Sequence, residues 1–200
     1  MGKRKKKLIW IVGGMASGKS TLRNKFIELI KSKEGSLISD ERFEFVDYGS
    51  LAVVGNCLRS NQCNGLDSSF GKLKKEGAID SVRHCVENYW MTIVEGSQTS
   101  AQWVLPLCEI CINNNADFYL VHLNIRLWEN FMRLRKRIID SGKSESDISD
   151  NKLRSVAGKN SQAELICSQC KKTGFVKVIC INTEGMNSDD VVKNVLNMMI

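Results

Sequence analysis

Short runs of apolar residues alternate along this chain with segments in which apolar residues recur every three or four positions. A short apolar run is typical of a buried strand, whereas the longer period is typical of a helix with one buried face. The predicted strands span residues 8–12, 43–48, 51–55, 90–94, 118–123 and 176–181. The predicted helices span residues 21–30, 77–89, 99–113, 126–140, a long segment that ends near 172, and 188–199. Because strands and helices alternate, we predict an α/β fold with helices on both faces of a mostly parallel sheet.

Several segments between these elements carry no clear period. Residues 36–40 are expected to form a loop or a short strand, and residues 56–70, rich in glycine and asparagine, are predicted to form a loop. Pro106 is expected to kink or break the helix in which it falls. The polar stretch at 141–150 is predicted to be mobile. The 200 residues, 42% of them apolar, suit one domain with a single sizeable core.

The segment that joins the first strand to the first helix reads GGMASGKS, which is a complete phosphate-binding loop. Its glycines let backbone amides turn towards phosphate oxygens, and the new helix adds its positive end. Lys19 can reach the β- and γ-phosphates, and the Ser20 hydroxyl can ligate Mg²⁺. The residues predicted to hold the triphosphate of ATP are Gly13, Gly14, Met15, Ala16, Ser17, Gly18, Lys19, Ser20 and Thr21. The alternative is a glycine-rich turn with no chemical role.

Acidic and basic side chains elsewhere extend this chemistry. Glu95 ends the predicted strand at 90–94, the position at which phosphate-loop enzymes place an acidic residue near the metal, so it is a second candidate for Mg²⁺. Arg133 and Arg137 share one face of the basic helix at 126–140. The chain resembles the nucleotide-kinase-like phosphotransferases, and this resemblance implies that the two arginines stabilise a transferring phosphoryl group. The alternative is a solvated basic face.

In these features the chain resembles the nucleotide-kinase-like phosphotransferases. It is small, it lacks the NKxD motif of GTPases, and its Arg133 and Arg137 match the RxxxR pattern at the edge of that group's lid. The resemblance implies a single kinase domain with a basic tail at 1–7 and a mobile lid near 133–150. It implies an ATP-dependent transfer to a hydroxyl of a nucleotide-type acceptor.

A narrower resemblance is carried by the motifs Asp47-Tyr48-Gly49, Val54-Gly55-Asn56, Cys63-Asn64-Gly65-Leu66-Asp67 and Glu95-Gly96. They are similar to motifs in bacteriophage P-loop kinases that include the 5-hydroxymethyluracil DNA kinases. The resemblance implies a base hydroxymethyl group as acceptor, with Asp67 as the catalytic base and Asp47 as its competitor. Asn64 departs from that pattern, in which a second glycine is expected. A deoxynucleoside monophosphate kinase and a nucleotide-binding regulator without kinase activity are the alternatives.

The formal net charge is +7, and part of it lies in the run from Lys3 to Lys7. Such a run is either a solvated tail or a contact for a polyanion, and here it favours DNA over a free nucleotide as acceptor. No apolar run approaches the roughly 18 residues of a membrane span, and the start lacks the apolar core of a signal peptide. We therefore expect a soluble, cytoplasmic protein, in the host cytoplasm if the source is viral.

The eight cysteines are expected to be reduced. Two CxxC pairs, Cys108 with Cys111 and Cys167 with Cys170, fall in predicted helices and lie far apart in sequence. We interpret them as thiols within the fold and not as a zinc ribbon. His122 is interpreted as a packed strand residue.

Overall fold

A computed structural model of the chain describes residues 5–58, 66–96, 99–144 and 150–199. Within these ranges the chain forms a seven-stranded sheet flanked by helices. The strands are β1 (Lys7–Gly13), β2 (Ser36–Ser39), β3 (Glu44–Asp47), β4 (Leu51–Val54), β5 (Met91–Glu95), β6 (Asp117–Asn124) and β7 (Lys177–Asn182). The α-helices are α1 (Lys19–Ile30), α2 (Leu66–Asn88), α3 (Val104–Asn113), α4 (Leu127–Asp140), α5 (Asp150–Thr173) and α6 (Ser188–Met199). This architecture confirms the predicted α/β fold.

The strands lie in the order β2-β3-β4-β5-β1-β6-β7. From β4 to β7 all neighbours are parallel, while β2 and β3 form an antiparallel extension at one side. The five parallel strands therefore end at one common edge of the sheet. In open α/β sheets this carboxyl edge is where ligands bind.

Strand β1 is the middle one of the five parallel strands and is buried on both faces. Leu8, Trp10 and Val12 belong to the core beneath α2, α3 and α5. Ile9 and Ile11 face the opposite core, which is formed with α1 and α6. Because neighbouring residues of a strand point to opposite faces, burial on both sides requires the continuous apolar run seen in the sequence.

Two details of the predicted elements were wrong. Helix α2 begins at Leu66, so residues 66–70 are helical although their glycine and asparagine neighbours predicted a loop. Leu66 is fully buried against the sheet, and this packing outweighs the local signal. Pro106 neither kinks nor breaks a helix, because it lies in the first turn of α3, which begins at Val104. The backbone N–H groups of a first turn have no partner within the helix, so the N–H that proline lacks is not missed there.

The basic run is part of the fold from Lys5 onwards. The Lys5 ammonium lies 2.7 Å from a carboxylate oxygen of Asp117, and Lys7 opens β1. Lys3 and Arg4 lie outside the described residues. None of the described helices has the length and apolar character needed to cross a membrane.

Candidate active site

The predicted phosphate loop connects β1 to α1 at the carboxyl edge of the sheet. Gly18 has a φ of 98°, a left-handed conformation that favours glycine, and it is the residue from which α1 starts. No side chain caps this helix end, and its first turn contains no acidic residue. The positive end of the helix dipole is therefore directed at a position that favours an anion.

The loop is packed too tightly for side chains at its first two glycines. A Cβ atom on Gly13 would lie 2.6 Å from the Ser17 Oγ and 2.7 Å from the Leu123 carbonyl oxygen. A Cβ atom on Gly14 would overlap the side-chain amides of Asn160 and Asn130. The Ser17 hydroxyl is buried and has no hydrogen-bond partner within the described residues. A buried donor of this kind, beside a helix start, fits a phosphate oxygen.

Lys19 lies across the loop. Its Nζ donates hydrogen bonds to the carbonyl oxygens of Gly13, at 3.0 Å, and Gly14, at 2.8 Å. Burial lowers the pKa of this ammonium, and the negative charges of Glu95 and Asp67 act in the opposite direction. A charge that is partly desolvated and held over a phosphate loop is placed to bind phosphate oxygens.

Two cations, one on α4 and one on α5, also act on Lys19. The charges of Lys159 and Arg137 lower its pKa, which means that both lie within electrostatic range. Arg137 is in the last turn of α4, and Lys159 is on α5. The sequence analysis missed Lys159, because the polar sequence around it gave no sign that this turn of α5 approaches the loop.

The two predicted magnesium ligands are brought together. The Ser20 Oγ lies 3.4 Å from each carboxylate oxygen of Glu95, and Glu95 is 5% exposed. Hydroxyl and carboxylate oxygens are the ligands that Mg²⁺ prefers, so this pair fits the ion. Burial raises the pKa of Glu95, while the charges of Lys19 and Arg23 lower it.

Arg23 is a further member of the site that the sequence analysis missed. It is 2% exposed, and its Nη1 donates a 2.9 Å hydrogen bond to the Glu95 carboxylate. The signal was available, because Arg23 stands beside Leu22 on the buried face of α1, where an unpaired charge would be costly. A buried arginine requires a buried acidic partner.

Asp67 lies beside the tip of β5. A Cβ atom on Gly96 would be 2.9 Å from the Asp67 Oδ1, so the start of α2 contacts the residue that follows Glu95. Asp47 lies at the opposite edge of the sheet, where Lys33 Nζ is 2.6 Å from its carboxylate and the Gly49 amide donates to it. The structure thus brings Asp67 to the phosphate loop and leaves Asp47 away from it. Cys63, Asn64 and Gly65 lie outside the described residues.

The two arginines of α4 have different surroundings. Arg133 Nη2 donates a 2.8 Å hydrogen bond to the Thr183 carbonyl, and its Nε lies 3.3 Å from Glu129. Arg133 thus supports the loop after β7, while the charge of Arg137 reaches Lys19. Residues 145–149 of the predicted lid lie outside the described part of the chain.

A cavity of about 370 Å³ adjoins the phosphate loop between the loops that follow β6 and β7. Its lining includes Ile125, Arg126, Asn160 and Glu184. Arg126 and Glu184 form an ion pair of 2.7 Å across it. Asn160 also packs on Gly14, so one residue of the cavity wall contacts the phosphate loop. Its volume lies within the range of small-molecule sites in proteins.

Asn130, on α4, and Asn160, on α5, join these two helices to the loop. Asn130 is fully buried, and its Nδ2 donates a 2.9 Å hydrogen bond to Asn160 Oδ1. The Asn130 Oδ1 has no partner within the described ranges. Neither residue was predicted, because the contact joins positions 30 residues apart on two consecutive helices, and their packing is not encoded by neighbouring residues.

Comparison with known proteins places this geometry in a structural group. No protein-family model and no curated protein sequence matches the chain. A solved structure of a provisionally assigned kinase from Chloroflexus aurantiacus is 13% identical, with a TM-score of 0.53 over 99% of this chain and 98% of that one. A deoxyadenosine kinase from M. mycoides, solved with bound dATP, is also 13% identical, with a TM-score of 0.51 over 96% and 98%. The chain thus shares the α/β fold of P-loop kinases.

Proposed function

We propose that this protein is an ATP-dependent phosphotransferase that acts on a nucleoside or nucleoside monophosphate. The observation that carries the proposal is the convergence of Lys19, Glu95 and Asp67 at one phosphate loop. Lys19 donates to carbonyls of the loop, Glu95 lies 3.4 Å from the Ser20 hydroxyl, and Asp67 contacts the residue after Glu95. These groups supply a phosphate-binding cation, a metal-binding carboxylate and a second carboxylate beside it. The likeness of the fold to that of kinases supports the same conclusion.

In this account residues 13–21 hold the triphosphate. The loop amides and the Ser17 hydroxyl donate to phosphate oxygens, and Lys19 exchanges its two carbonyl partners for the β- and γ-phosphates. The adenine occupies the cavity beside Arg126 and Asn160. Ser20 and Glu95 hold Mg²⁺, which when bound neutralises charge on the phosphates.

The transfer step needs a base and further positive charge. The acceptor hydroxyl oxygen forms a bond to the γ-phosphorus as the bond to the β–γ bridging oxygen breaks, and ADP leaves. Asp67 accepts the proton of the acceptor hydroxyl. Arg137 and Lys159 stabilise charge on the moving phosphoryl group, since both lie within electrostatic range of Lys19.

The position of the basic run argues for a small acceptor. Lys7 opens β1 and Gly13 closes it, and a seven-residue strand at about 3.3 Å per residue separates them by roughly 20 Å. Lys5 is also paired with Asp117 at that far edge. The described part of the run, from Lys5 to Lys7, therefore lies away from the acceptor side of the loop. The net charge of +7 favours the second candidate, a hydroxymethylated base in DNA such as 5-hydroxymethyluracil.

The test is transfer from labelled ATP to a panel of acceptors at two salt concentrations. The panel contains deoxynucleosides, deoxynucleoside monophosphates, plain DNA and DNA with hydroxymethylated pyrimidines. We expect transfer to a free nucleoside or monophosphate, with a weak dependence on salt. Transfer to modified DNA alone, falling steeply with salt, would establish the second candidate instead. ATP binding without transfer to any acceptor would indicate a nucleotide-binding regulator.

A further inference from the structure

A cluster of soft-metal ligands lies outside the candidate active site. His122 and Cys180 are directly paired on the neighbouring parallel strands β6 and β7, so their side chains leave the same face of the sheet. Cys167 belongs to α5, which packs on this face of the sheet. The ligand atoms of all three residues lie within 4.8 Å of one another.

The spacing and the atom types match a tetrahedral thiolate site. The Sγ atoms of Cys167 and Cys180 are 3.5 Å apart. In a tetrahedral site with Zn–S bonds of about 2.3 Å, two sulfur ligands stand roughly 3.8 Å apart. The pair therefore needs to separate by only a few tenths of an ångström to hold zinc between them. Two cysteines and a histidine are a ligand set that selects zinc over Mg²⁺ or Ca²⁺.

The site is open to solvent on one side. His122, Cys167 and Cys180 line a surface cavity of about 620 Å³ together with Glu164 and Lys171. Glu164 is exposed on the wall of the same cavity, and the open side gives water access to the fourth position.

The sequence motif pointed to a different pair. The CxxC spacing joins Cys167 to Cys170, but Cys170 is fully buried and belongs with Cys108 on the α3 side of α5. Among the described residues, Cys167 instead lies with His122 and Cys180 of the sheet, and these three side chains can ligate a metal. The tertiary fold therefore creates a site that no local spacing encodes.

We propose that His122, Cys167 and Cys180 bind a zinc ion that fastens α5 to the sheet. Helix α5 also carries Asn160, two turns before Cys167, and Asn160 packs on Gly14 of the phosphate loop. Zinc at this site stabilises the folded protein, because the three ligands are assembled only when α5 is docked on β6 and β7. This inference does not depend on the proposed phosphotransfer.

The experiment is a Co²⁺ titration of the folded protein in a non-thiol reductant, followed by competition with Zn²⁺. Co²⁺ substitutes for zinc, and its tetrahedral thiolate complexes absorb visible light. We expect one Co²⁺ per chain with thiolate absorption, its displacement by Zn²⁺, and a higher melting temperature with Zn²⁺. Cys180→Ser alters an exposed residue and should lower the Co²⁺ affinity at least about tenfold.

The matched control is Cys170→Ala, which changes the other half of the CxxC motif and should keep the wild-type Co²⁺ spectrum. Three results would overturn the proposal. They are an absence of thiolate absorption in the folded wild type, an unchanged spectrum in Cys180→Ser, and an equal loss in folded Cys180→Ser and Cys170→Ala.

Discussion

Gly14 is the residue at which the phosphate loop leaves the least room. Its missing side chain makes space for the amides of Asn130 and Asn160. We predict that Gly14→Ala destabilises the protein by about 1–3 kcal/mol, because the added methyl group forces those amides apart. The free energy of urea unfolding and the ATP affinity should fall together.

A matched control for Gly14→Ala lies on α5. At Gly158 an added Cβ meets no atom within 4 Å. Gly158→Ala should therefore be neutral or stabilise the protein by up to about 1 kcal/mol, since alanine favours a helix over glycine. Wild-type stability and ATP affinity in Gly14→Ala would show that the loop does not have this packing.

The pair Arg23–Glu95 gives a second prediction for single residues. Both side chains are buried, so removing either leaves an unpaired charge in the core. We predict that Arg23→Met costs about 3–5 kcal/mol of unfolding free energy, and that adding Glu95→Gln recovers much of it. Urea unfolding of the four proteins of this cycle measures the coupling. Additive losses in the double variant would mean that the two charges do not depend on each other.

At the scale of elements, two arginines of helix α4 that were predicted to act as a pair have different surroundings. Arg137 lies within electrostatic range of Lys19, whereas Arg133 holds the Thr183 carbonyl after β7. We predict that Arg137→Ala lowers kcat about 100-fold with little change in ATP affinity, because its charge acts on the transferring group.

Arg133→Ala should instead raise the KM for ATP roughly tenfold, because the loop beside the base cavity loses a charged hydrogen bond. Lys136→Ala, an exposed cation of the same helix, is the control and should change neither constant. Steady-state kinetics distinguish the three variants. If Arg133→Ala and Arg137→Ala change the same constant, the division of roles within α4 is wrong.

The sequence predicted the elements well where one local signal dominates. The run at 8–12 and the loop after it were predicted because an apolar strand and a glycine-rich turn are encoded by neighbouring residues. The start of α2 was not predicted, because the burial of Leu66 against the sheet is a tertiary effect. The same distinction holds for the candidate site. Lys19 and Glu95 were predicted from local sequence, whereas Asn130 and Asn160 were not, because their contact depends on how α4 and α5 pack.

At the scale of the whole molecule, ionic contacts at the amino edge of the sheet make stability depend on pH. Asp117 accepts hydrogen bonds from Lys5 and Lys177, and these lower its pKa below 3.8 although partial burial opposes them. A carboxyl group whose pKa is lower in the folded than in the unfolded state stabilises the protein fully at pH values above its unfolded-state pKa. This stabilisation is lost as the pH falls through its folded-state pKa. We therefore predict that Asp117→Asn destabilises the protein at pH 7.

The difference between Asp117→Asn and the wild type should shrink as the pH falls below 3.8. Denaturant unfolding at pH 7 and near pH 3 measures it. Asp189→Asn is the control, because its ion pair with Lys25 is exposed and should contribute less than about 1 kcal/mol. A difference for Asp117→Asn that is equal at both pH values would contradict the ionic origin of this contribution.

The most direct test of the account is the turnover of Lys19→Ala with the best acceptor of the panel. Lys19 donates to the Gly13 and Gly14 carbonyls, and in this account it exchanges them for phosphates. We predict a loss of roughly 100- to 1000-fold in kcat, about 3–4 kcal/mol, with cooperative unfolding retained. Lys31→Ala, at the exposed end of the same helix, should keep wild-type turnover. Wild-type turnover in folded Lys19→Ala would contradict the account, because the phosphate loop would then have no part in the reaction.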